Sequence, residues 1–137
     1  MYKIAIVGHG NFPEGVLSAL SLLIGENENV VAYNLNDERT HEVLEQDVTA
    51  LLKDNEKVII FADLTGGAPH QISARIMLEN KFSENQYVIS GINLGLVVEL
   101  TMKFLYSDIK DEEAAAAIQE AIEQSRGMIM SMQSGMV

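Results

Sequence analysis

The chain has 137 residues, 47% of them hydrophobic and 21% charged, with a formal net charge of -11 and no cysteine. That length suits one domain, residues 1–137, with a sizeable core, and the acidity argues against nucleic acid or an anionic membrane surface as partner. Without cysteine there is no disulfide, thiolate metal site or thiol nucleophile, and no apolar run approaches a signal peptide's apolar region or the ~20 residues of a membrane helix, so a cytoplasmic protein is expected.

Residues 2–7 (YKIAIV) are β-rich and closed by Gly8, which predicts a buried strand. A helix is predicted over 13–24, with Pro13 suited to a first helical position and Asn11 nearby as a cap. Val16, Leu17, Leu20, Leu23 and Ile24 recur there at helical spacing. Residues 30–35 (VVAYNL) read as a second strand. Residues 37–53 read as a helix with Val43, Leu44, Val48, Leu51 and Leu52 on one face. Residues 57–62 (KVIIFA) form a third strand, so uniformly apolar that it must be covered on both faces, as in a parallel sheet. Residues 63–69 (DLTGGAP) are a loop opening a helix that runs to about 79. A fourth strand at 86–90 (QYVIS), a turn at 91–95 (GINLG), a helix over 96–106 and a polar break at 108–111 follow. Strong helix formers fill 112–124. Residues 126–132 (RGMIMSM) read as a short final strand. The methionines at 128, 130, 132 and 136 alternate as one face of a strand laid on apolar surface, a better reading than soft-metal ligands.

Alternating strands and helices imply right-handed crossovers and a parallel sheet. The predicted fold class is α/β: a doubly wound, mainly parallel sheet, ordered 2-1-3-4, with helices on both faces. Ligands on such sheets sit beyond the carboxyl ends of the strands, at the switch point. Here that point lies between strands one and three, whose ends carry Gly8-His9-Gly10 and Asp63-Leu64-Thr65-Gly66-Gly67. The order thus puts His9 beside Asp63.

A nucleophilic imidazole must be neutral with an outward lone pair. A carboxylate that accepts the Nδ1 proton leaves Nε2 free and stabilises the cationic ring formed in attack, a role that falls to Asp63. The glycines around His9 leave the ring uncovered. Gly10, Thr65, Gly66, Gly67 and Ala68 are the candidate phosphate-binding residues, because helix N-termini bind oxyanions and Thr65 adds a hydroxyl. No metal-ligand spacing is evident and no cofactor is expected. The constellation fits phosphoryl transfer onto histidine, where positioning and charge stabilisation supply most of the catalysis. Set against this, a lone histidine after a strand is usually only a loop residue, Asp63 could simply cap a helix, and the glycine pair alone is weak evidence. Two such loops meeting at one switch point raise the odds. His41 reads as solvated, and His70 as a rim residue that backs the site or touches a partner, with a minor claim to be the nucleophile itself.

These residues resemble the enzyme IIA domain of the mannose-type (mannose/fructose/sorbose) sugar phosphotransferase system. IVGHG at the first strand end, DLTGGAP at the third and GINLGLVVEL after the fourth carry the resemblance, which covers nearly the whole chain. It implies that His9 takes phosphate from phospho-HPr and gives it to a IIB component. It further implies that Asp63 hydrogen-bonds the ring and that the glycine loop's amides receive the phosphate. It implies a homodimer in which the final strand crosses to the neighbour's sheet and pairs antiparallel, and a membrane link only through IIC and IID components. Four positions depart from the family pattern. Ala68 stands where the family usually has Ser, His70 and Gln71 replace an aromatic residue and Asn, and Asn93-Leu94-Gly95 replaces NLP. A chain ending at residue 137 is expected to be a standalone IIA.

The phosphotransfer subunit of dihydroxyacetone kinase is a close alternative, although GGAP leans toward the sugar system. A non-catalytic anion-binding regulatory module on the same fold is a further one. A histidine phosphatase fits less well, because no arginine accompanies IVGHG. The leading reading calls for an exposed, shallow site, a small transient interface and transfer that weakens with salt.

Overall fold

The computed structural model describes residues 1–135. Four parallel strands, β1 (Lys3–His9), β2 (Val30–Leu35), β3 (Val58–Ala62) and β4 (Gln86–Ser90), form one sheet in the order β2-β1-β3-β4. This is the predicted order, and β1 and β3 lie at its centre. Runs of β-branched residues build both central strands, and every residue of β3 is buried.

Period-two alternation divides the core between the two faces. Ile4 and Ile6 of β1, with Ile59 and Phe61 of β3, pack on one side. That side is covered by α1 (Phe12–Ile24), α4 (Leu94–Leu105) and α5 (Ala114–Arg126). Ala5 and Val7, with Val58, Ile60 and Ala62, face the other way against α2 (His41–Asp54) and α3 (Ala68–Asn80). The chain moves outward from β1 to β2 over one face, then returns past β1 over the other. The winding therefore reverses between β1 and β3, and the carboxyl ends of those strands open onto a common edge.

Several element boundaries differ from the sequence reading, for identifiable reasons. The second helix starts at His41 rather than 37. Asn36 Oδ1 accepts the amides of Glu38 and Arg39 at 2.9 Å each, which makes a tight turn. Thr40 then caps the helix by accepting the Val43 amide. The fourth helix starts two residues earlier than expected because Asn93 accepts the Leu96 amide at 2.9 Å. Asn11 precedes α1 but makes no side-chain cap. Asn34 of β2 caps it instead from outside the helix, accepting the Glu14 amide at 3.2 Å. Leu23, read as part of the apolar face of α1, is exposed, and Val43 of α2 is partly so.

The expected strand at 126–132 does not form within the chain. Arg126 closes α5, and the residues that follow it are irregular. A strand needs a neighbour to take its backbone hydrogen bonds, and no strand of the described chain pairs with this segment. Met128, Met130 and Met132 are exposed; Met136 lies outside the described residues.

Candidate functional site

β1 runs to His9, which lies opposite Leu35 of β2, and β3 ends at Ala62 opposite Val7. One more ladder bond, from the Asp63 amide to the Val7 carbonyl at 3.1 Å, carries Asp63 to the same edge as His9. Residues 54 positions apart in sequence thus become neighbours.

Asp63 Oδ2 receives two hydrogen bonds from His9, the backbone amide at 2.9 Å and ring Nδ1 at 2.8 Å. Its Oδ1 accepts the Leu64 amide at 2.7 Å. Burial pushes the Asp63 carboxyl up. The hydrogen bonds from the His9 amide, the His9 ring and the Leu64 amide outweigh it and hold the group below the usual carboxylate range. An ionised carboxylate only accepts, so Nδ1 carries the ring proton and Nε2 keeps its lone pair. The side chains are unequally exposed, 49% for His9 and 13% for Asp63. The orienting group is covered while the ring is open.

Two glycines make this packing possible. A Cβ on Gly8 would fall 2.9 Å from Asp63 Cγ, and one on Gly67 would fall 2.9 Å from His9 Cε1. Gly8 admits the carboxylate, and Gly67 admits the edge of the ring between its two nitrogens. Gly10 serves differently. It adopts φ +59°, with no atom within 4 Å of a Cβ, and turns the chain from β1 into α1.

The candidate phosphate-binding groups surround this pair, but most are engaged. The Gly10 amide donates to the Leu35 carbonyl at 2.9 Å, and the Gly67 amide to the Leu64 carbonyl at 3.0 Å. The Gly66 amide donates to His70 Nδ1 at 2.9 Å. Thr65 Oγ1 donates to Ser90 Oγ at 2.8 Å. The amides of Thr65 and Ala68 find no acceptor among the described residues. The Ala68 amide belongs to the first turn of α3, where helix N–H groups are left unpaired and the dipole is positive.

The sequence reading missed Ser90, which anchors Thr65, and Asn34, which joins Glu14 to the end of β2 through Nδ2 to Glu14 Oε2 at 3.1 Å. A buried asparagine in an apolar strand was the available signal for Asn34, since such a group must find partners. The crevice beside the site, about 650 Å³, is walled by Asn11, Glu14, Asn34, Asp37, Glu38 and Arg39 rather than by His9 or Asp63. Arg39 is bound to Asp47, and Arg75 to Glu45 and Glu79, so neither is held toward His9. Among the described residues no group of three His, Cys, Asp or Glu could hold a metal ion. No helix of the described chain is long and apolar enough to cross a membrane.

Residues 3–119 match the model of the family described as "PTS system fructose IIA component". The fructose-specific EIIA component of the PTS from Bacillus subtilis (strain 168) is 25% identical over 114 residues, which are 81% of this chain and 76% of that protein. The mannose-specific EIIAB component from Escherichia coli (strain K12) is 31% identical over 123 residues. That alignment takes in 88% of this chain but only 37% of the relative's length. Among solved structures, phosphotransferase system component EIIA from Streptococcus agalactiae superposes with a TM-score of 0.82 at 29% identity, covering 96% of this chain and 97% of that one.

Proposed function

Because the chain belongs to the PTS fructose IIA component family, we propose that His9 accepts a phosphoryl group from phospho-HPr and passes it to a IIB component for coupled sugar uptake and phosphorylation. A phosphotransfer role in a sugar phosphotransferase system follows from the family itself. The assignment of His9 rests on one observation above the others. Asp63 Oδ2, 2.8 Å from Nδ1, leaves Nε2 free on a half-exposed ring.

In this reading the Nε2 lone pair attacks phosphorus while the donor's N–P bond breaks, and that bond's electron pair returns to the donor ring. His9 keeps its Nδ1 proton. The ring becomes cationic, and Asp63 faces the charge in a position fixed beforehand. The free amides of Thr65 and Ala68 lie at the loop that meets the phosphoryl oxygens. Transfer to IIB repeats the exchange with His9 as donor. Both partners must bring a histidine to within about 3 Å of attack distance, which an open ring permits and a deep pocket would forbid.

A static anion-binding module is less well supported, because the amides of Gly10, Gly66 and Gly67 are already satisfied within the protein. Transfer to dihydroxyacetone kinase in place of IIB is tested by comparing the two as acceptors.

The protein acts as a single phosphocarrier domain in the cytoplasm and reaches the membrane only through its partners. Its apolar segment after Arg126 pairs antiparallel with the sheet of a second copy, giving a homodimer. Exposed Met128, Ile129, Met130 and Met132 support that pairing.

Incubation with phospho-HPr should place an acid-labile, base-stable phosphoryl group on the protein, and His9→Ala should remove it entirely. Normal labelling of His9→Ala would refute the assignment.

A further inference from the structure

His70 and Gln71 occupy the first turn of α3, and both reach back to Gly66. The Gly66 amide donates to His70 Nδ1 at 2.9 Å, and Gln71 Nε2 donates to the Gly66 carbonyl at 2.5 Å. Gly66 has φ +87°. Both polar groups of one left-handed glycine are therefore held by the side chains of the helix it precedes. The next residue, Gly67, lies against the His9 ring, so close that a Cβ there would be 2.9 Å from Cε1. On the other side the loop is tied to the end of β4 by Thr65 and Ser90.

A backbone N–H can only donate. His70 Nδ1 must therefore accept, and the ring proton sits on Nε2. The two histidines are fixed in opposite tautomers, His9 as Nδ1–H by a carboxylate and His70 as Nε2–H by an amide. A His70 ring with a proton on Nδ1 would set N–H against N–H and open the loop.

We propose that His70 is a positioning residue for phosphoryl transfer, holding Gly66, and through it Gly67, against the nucleophilic ring by accepting the Gly66 amide at Nδ1. The proposal rests on the phosphocarrier reading of His9. Cε1 lies between the two ring nitrogens, so the loop that touches it sets the distance between Nε2 and the free amides of Thr65 and Ala68. His70 touches neither phosphate nor the reacting atoms. It fixes the loop that carries the free amides of Thr65 and Ala68, and its Nε2, already protonated, is no phosphate acceptor.

The substitutions that test this differ in where they put an acceptor atom. In His70→Asn, Oδ1 takes the place of Nδ1. In His70→Gln, Oε1 lies one bond further out, and His70→Ala has no acceptor. Initial rates of labelling from phospho-HPr should fall about tenfold in the Ala and Gln variants and stay within about twofold of wild type in the Asn variant. All variants should unfold at similar temperatures, since the Gly66 loop is exposed. If His70→Ala does not fold, the contrast between Asn and Gln still decides the role of the acceptor. Two-bond proton–nitrogen spectra of the free wild-type protein should show His70 as Nε2–H and His9 as Nδ1–H. Wild-type rates in His70→Ala and His70→Gln, or an Nδ1–H His70, overturn the role of His70 and leave the phosphocarrier reading standing. A wild-type protein that takes no phosphate from phospho-HPr overturns both.

Discussion

The loop after β3 and the segment after α5 are both irregular, and they are opposite in construction. In residues 63–67 most polar groups are assigned. Asp63 is bound by three donors, Thr65 by Ser90, Gly66 by His70 and Gln71, and Gly67 by Leu64. In residues 127–135 little is assigned within the chain. The Gly127 and Met128 amides reach back to the end of α5, and then Ile129, Met130 and Met132 stand in solvent, Met132 at 89% exposure. The loop is complete in one copy of the chain, whereas the tail lacks a surface to cover it. This contrast separates what one copy does, present an oriented histidine, from what the proposed second copy would supply.

The loop side is broken most severely at Asp63. In Asp63→Asn the NH₂ group must replace one oxygen. At the Oδ1 position it meets the Leu64 amide, and at the Oδ2 position the His9 amide and ring proton. Either way a donor faces a donor, and the His9 tautomer is no longer enforced. The labelling rate should drop about a hundredfold or more, in line with the loss of an orienting carboxylate elsewhere. The same carboxylate leaves a signature in stability. Its pKa is lowered on folding, so it stabilises the fold at pH values above about 3.9, the unfolded-state figure. That contribution disappears as pH falls through the lower folded-state value. The gap in denaturant stability between wild type and Asp63→Asn should stay constant from pH 7 to pH 5 and close only below about pH 4. A gap that closes nearer pH 6 would mean that the ring, and not the carboxylate, controls it.

The tail side is broken by charge. Ile129→Asp together with Met130→Asp should leave the thermal unfolding of the four-stranded core unchanged, because these side chains are exposed in the single chain. If the proposed homodimer forms through this tail, the variant should also raise its dissociation constant about tenfold to a hundredfold, since two apolar side chains per copy would no longer be buriable. Sedimentation over a concentration series reads this directly. Equal dissociation constants would remove the tail from the interface.

The same contrast explains what the sequence could and could not convey. The strands were legible because β-branched runs such as VIIF admit few other readings. Strand order followed from handed crossovers, and the meeting of His9 with Asp63 followed from strand order. Local polar chemistry was less legible. Asn36 delays α2 by folding its side chain onto two amides, and Asn34 caps a helix from a neighbouring strand; neither pattern is visible in hydrophobic periodicity. The amides of Gly66 and Gly67 read as free donors from the sequence. Whether they are free depends on the side chain of His70 and on the Leu64 carbonyl, which only the folded loop brings within reach. The tail failed for a different reason. Alternating methionines do specify an extended, one-sided segment, but a strand is a property of a pair. β4 lies at an edge of the sheet with no strand of the described chain beyond it, and the tail does not pair there.

The smallest effect tests how closely the loop fits the ring. Gly67 has φ -70° and ψ 163°, a conformation open to any residue. Gly67→Ala therefore introduces a contact and no backbone strain. The new methyl would lie 2.9 Å from His9 Cε1 and 3.2 Å from the Leu64 carbonyl, so the ring or the loop must move by several tenths of an ångström. Stability should change little, and the labelling rate should fall about threefold to tenfold, because Asp63 still holds Nδ1 while the loop is pushed off the ring. Gly10→Ala is the complementary variant. It meets no atom within 4 Å but forces an L-residue to φ +59°, which should cost about 1–2 kcal/mol of stability without touching the ring. If the two variants exchange phenotypes, the glycines matter as hinges and the contact with His9 does not. If they separate as stated, the ring is held between Asp63 and a loop that fits only because residue 67 has no side chain.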